Sequence, residues 1–124
     1  MKTLLLFIGE NQQFSHNQIT SILPEIPGTY NLKSGNFVGS ILECEFADQN
    51  DFAIIRLSDD LETISISGAI DAGLKIALEI QKRYPKAIRL IDSDYSFDLV
   101  LDQIGSVSEL RQKILEVSSV QLSV

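Results

Sequence analysis

Cysteine, histidine and basic side chains are scarce in this chain of 124 residues, and each scarcity removes a class of function. The single cysteine, Cys44, excludes an internal disulfide and fits a reducing compartment. With His16 as the only histidine, one imidazole and one thiol cannot supply the usual ligand set of zinc. Ten Lys and Arg against 17 Asp and Glu give a net charge of −7. That balance argues against a nucleic-acid partner, because neutralising phosphates takes clustered positive charge. No stretch approaches the roughly 20 apolar residues of a membrane span, so no membrane partner is expected. The apolar run Leu4–Ile8 is too short for a secretory core, and Gly9-Glu10-Asn11-Gln12 follows where a small-residue cleavage site would stand. The expectation is a soluble cytoplasmic protein.

What is present is ordinary globular composition, 44% apolar and 22% charged, enough for a core in one domain spanning residues 1–124. No internal repeat, linker or low-complexity run divides it. Thr3 to Gly9, almost wholly apolar, reads as a central strand. Ser15 and Gln18 have capping-box spacing and open a short helix through Ile19, Ile22 and Leu23, limited by Pro24 and Pro27. Residues 28–36 (GTYNLKSGN) read as a loop. A three-stranded meander follows over Phe37–Phe46, Phe52–Leu57 and Glu62–Ser67, with Asx-rich turns at 48–51 and 58–60. Gly68 to Tyr84 has a helical stripe (Ile70, Leu74, Ala77, Ile80, Tyr84) opposite Asp71, Lys75, Glu79 and Lys82 at i, i+4 spacing, and Pro85 stops it.

The stretch Ile88–Asp102 (IRLIDSDYSFDLVLD) organises the rest. An apolar strand ends at Asp92-Ser93-Asp94-Tyr95, and a second strand alternates, with Phe97, Leu99 and Leu101 inward and Ser96, Asp98, Val100 and Asp102 outward. Ser106 and Glu109 form another capping box, opening a helix through Leu110, Ile114 and Val117. The tail from Ser118 to Val124 frays or adds an edge strand. The order β-α-β-β-β-α-β-β-α is that of an α+β domain, a mostly antiparallel sheet with helices packed on one face. A ferredoxin-like core with one additional strand is one version of it.

Enzymatic signals are sparse. His16 reads as a solvated helix-start residue and Cys44 as a small core hydrophobe. The glycines show no phosphate-cradling spacing: Gly68 reads as a helix start and Gly73 as part of a close-packed helix face. Asp92 and Asp94, two apart at a strand end, could share magnesium or divide into acid and base. The same Asp-Ser-Asp is also ordinary turn chemistry. No catalytic residue, metal ligand or cofactor is assigned.

The acid itself remains. Asp92, Asp94, Asp98 and Asp102 cluster around Tyr95, and the meander adds Glu43, Glu45, Asp48, Asp51, Asp59, Asp60 and Glu62 against Arg56 alone. Solubility accounts for much of this. An aromatic amid concentrated acid is also what a receptor for a basic protein surface presents.

The segment ISISGAIDAGLKIALEIQKRYPKAIRLIDSDYSFDLVL, followed by SVSELRQKI, resembles the small acidic immunity proteins of bacterial contact-dependent inhibition and polymorphic toxin systems. The likeness lies in a helix with a basic, Pro-stopped end, a strand giving D-S-D-Y-S-F-D, and a capped final helix; the first 60 residues lie outside it. It implies a cytoplasmic protein without catalysis of its own that neutralises one cognate toxin domain, often a nuclease with a basic cleft. The charge pattern nominates Asp92, Asp94, Tyr95 and Asp98 as partner-binding residues, with Asp59, Asp60 and Glu62 added if their turn shares the same edge. The alternatives are a small magnesium-dependent enzyme using Asp92 and Asp94, or a ferredoxin-like regulatory or oligomerisation module pairing through sheet edges.

Overall fold

The computed structural model of the chain describes residues 3–122. Seven antiparallel strands form one sheet in the order β2-β3-β4-β5-β1-β6-β7. They are β1 (Thr3–Phe7), β2 (Thr29–Phe37), β3 (Ser40–Asp48), β4 (Asp51–Ser58), β5 (Thr63–Gly68), β6 (Arg89–Asp92) and β7 (Asp98–Val100). Three α-helices accompany them: α1 (His16–Ile22), α2 (Ile70–Arg83) and α3 (Val107–Leu122). A single 3₁₀ turn, Leu23–Glu25, follows α1 where Pro24 ends its hydrogen bonding. The α+β class, the largely antiparallel sheet and the element order expected from sequence all hold, with one strand more than expected.

That strand is β2. Residues 28–36 lack alternation because the strand is interrupted: its register against β3 shifts between Tyr30 and Lys33 and again between Ser34 and Phe37. Asn31 lies at φ 53, a further break in extended geometry. Irregularities of this kind flip side chains out of phase and hide a strand from any period-two pattern. They also suit an edge, where an unbroken flat strand invites pairing with other chains.

β1 lies between β5 and β6 and is antiparallel to both. The crossover from β5 through α2 to β6 therefore joins two parallel strands across β1. This is the split β-α-β arrangement of a ferredoxin-like core, with the meander enlarged and β7 added at the far edge.

One face of the sheet carries the core. Leu4 and Leu6, Leu42, Cys44 and Phe46, Ile55 and Leu57, and Ile64 and Ile66 alternate inward and meet Ile19, Leu74, Ile76, Ala77, Ile80 and Leu110 from the helices. Cys44 is fully buried, as a small core hydrophobe, and burial pushes its thiol above the ordinary value. Gly73 faces the sheet, and a Cβ there would stand 2.7 Å from Leu4 Cδ1. The tip of α2 departs from the expected stripe: Ile70 is exposed, while Leu74, Ala77, Ile80 and Tyr84 are buried. On its charged face Lys75 pairs off the helix, whereas Glu79 does form an i, i+4 pair, with Arg83. Lys75 reaches Asp48 at 2.9 Å, Arg111 reaches Asp71 at 2.6 Å, and Glu79 takes both Lys82 and Arg83. The Arg83 hydrogen bond holds Glu79 below the usual carboxylate range.

Two other expectations need correction. Gly68 ends β5 instead of starting a helix, at φ 143. The stretch from Ser118 continues α3 as far as Leu122, while 123–124 fall outside the described residues. Both capping serines act as expected: Ser15 Oγ accepts from the Gln18 amide at 3.2 Å and Ser106 Oγ from the Glu109 amide at 3.1 Å.

Candidate functional site

The β6–β7 connection is built by the residues that drew attention in the sequence. β6 ends at Asp92, and the Tyr95 amide donates to the Asp92 carbonyl at 3.0 Å, closing a four-residue turn. The turn is tied to the start of β1, because the Ser93 amide donates to the Thr3 carbonyl at 2.9 Å and Ser93 Oγ accepts from the Thr3 amide at 3.3 Å.

Asp92 sits on the core side of β6, opposite Leu4, and is fully buried. Its carboxylate accepts from the Ser96 amide at 2.7 Å and from the Ser96 hydroxyl. This corrects the expectation that Asp92 belongs to the docking surface. A strand residue paired with Leu4 shares the face of Leu4, so the carboxylate points inward and braces the turn from beneath.

The bracing displays Asp94 and Tyr95. Both are exposed, Tyr95 by 72% of its surface. Tyr95 adopts φ 56, a left-handed conformation that costs a non-glycine residue about 1 kcal/mol and needs surrounding structure to hold it. An exposed aromatic thus occupies a position fixed by a buried carboxylate.

Asp98 opens β7 on the opposite face of the sheet from Asp92, paired with Ile91. Arg89 forks onto it: Nε donates to Oδ1 at 3.1 Å and a terminal nitrogen meets Oδ2. Asp98 in turn holds the Arg89 guanidinium still more firmly protonated. The pair is half exposed and its charges cancel locally, so Asp98 adds little to an acidic field.

Asp59, Asp60 and Glu62 form the β4–β5 turn, and the structure does not bring them to the same edge. The register pairs Thr63 with Phe7 and Phe7 with Arg89, whereas Ser67 pairs with Thr3 beside Ser93. The two acidic turns are therefore at opposite ends of β1, separated by at least about 13 Å of strand. All three residues are exposed. Asp60 is structured by its own turn, accepting from Ser58 Oγ at 2.6 Å and from the Glu62 amide at 2.9 Å. The Ser58 hydroxyl, then the Glu62 amide, hold its carboxyl below the usual range. A lowered folded-state value stabilises the fold above the unfolded-chain value near 3.8 and is lost as pH falls through the folded value. Asp60→Asn should therefore flatten the acid limb of a stability-against-pH curve below pH about 4, measured by urea midpoints.

Other meander acids also have cross-strand partners. Glu43 takes Arg56 at 3.0 Å, and Glu45 accepts from Asn31 Nδ2 at 2.6 Å. His16 opens α1 as expected and is half-buried; its Nε2 is buried and has no hydrogen-bond partner among the described residues. Among the described residues no group of three His, Cys, Asp or Glu side chains is arranged to hold a metal ion. No helix among them is long and apolar enough to cross a membrane. Asp94 and Tyr95 are exposed, as their nomination requires, but sequence reasoning missed the inward turn of Asp92. The signal was there, since Asp92 and Leu90 share strand parity.

Comparison with protein-family models, with curated proteins and with solved structures finds no match to this chain.

Proposed function

We propose that this chain is an inhibitor of the immunity-protein kind, acting in the bacterial cytoplasm by binding a basic toxin domain through the Asp94–Tyr95 turn. The observation that carries the reading is Tyr95, 72% exposed on a turn that a buried carboxylate braces. A tyrosine carried on a backbone already held in place loses less backbone entropy on docking, and aromatics of this kind dominate binding energy at interfaces. Asp94 beside it supplies charge that steers a basic cleft into register, and the chain's −7 accelerates the encounter. Asp92 acts through the turn without touching the partner. No reaction is assigned to the protein itself, and its effect on the toxin is steric and electrostatic occlusion of the cleft.

The test is co-expression. The protein is produced with the toxin domain encoded directly upstream of its gene, under conditions where that domain alone arrests growth. Restored growth, and a complex that weakens as salt rises, is the expected result. Arrest that persists despite soluble expression of both proteins would overturn the reading.

A further inference from the structure

We draw no further inference here: the strongest candidate, the apolar groove that Ile70 and Leu74 of α2, Phe97 of the β6–β7 connection and Ile114 and Leu115 of α3 line, carries nothing because nothing in the structure shows what covers it.

Discussion

Asp92→Ala should lower the stability of the fold by about 3 kcal/mol, read as a shifted urea midpoint with an unchanged slope. The substitution removes the acceptor for the Ser96 amide and for the Ser96 hydroxyl in one step. Those donors sit over the buried end of β6, where water cannot simply replace the carboxylate, so each carries much of its desolvation cost. The turn should also loosen. With the brace gone, Tyr95 has less to hold it at φ 56, and the amides of Tyr95 and Ser96 should exchange faster than those of β1 and β5. Asp92→Asn retains an acceptor oxygen of similar shape and should cost less than the alanine. An Asp92→Ala protein with the wild-type midpoint would show that the carboxylate does not brace the turn.

The same residue marks where sequence was legible and where it was not. Alternation over 97–101 placed Phe97 and Leu101 in the core, and both are buried. The capping serines, the end of α2 near Pro85 and the two Asx turns of the meander followed from local chemistry, which needs no knowledge of distant residues. β2 did not, because bulges erase the period that would announce a strand. The charge of Asp92 argues for the surface, although its parity with Leu90 puts it on the core face. Here topology overrode composition. Whether the two acidic turns shared an edge was beyond any local pattern, since it depends on β1 inserting between β5 and β6.

Gly68→Ala should be at least as damaging, with a loss of about 3 kcal/mol or failure to accumulate as folded protein. A Cβ at this position would stand 2.3 Å from the Phe52 carbonyl oxygen and 2.7 Å from Ala53 Cα. Both atoms are backbone of β4, fixed by the ladder that pairs Ala53 with Gly68 and by the Ala69 amide donating to the Phe52 carbonyl at 3.0 Å. Neither can swing aside, and φ 143 is a conformation that a side chain resists in any case. Gly73→Ala provides the contrast. Its one tight approach would be to Leu4 Cδ1, the far end of a side chain, with Ile66 Cγ2 at an ordinary 3.6 Å, so a small shift of that side chain suffices and a loss of about 1 kcal/mol is expected. Thermal or urea unfolding of the two variants side by side should rank Gly68→Ala well below Gly73→Ala. Equal midpoints would mean that β5 does not approach β4 as closely as described.

The most direct measurement of the docking proposal is a calorimetric titration of the proposed toxin domain, the one used for co-expression, with two charge-altered proteins. One carries Asp94→Lys with Tyr95→Ala at the braced turn, and the other carries Asp59→Lys with Glu62→Lys at the opposite end of the strands. Loss of a central aromatic contact costs roughly 2 kcal/mol, so the first should bind about 30-fold more weakly or worse, while the second keeps affinity within a few-fold. The opposite ranking, or a wild-type dissociation constant for the first variant in a correctly folded state, would contradict the assignment of Tyr95 as the anchor.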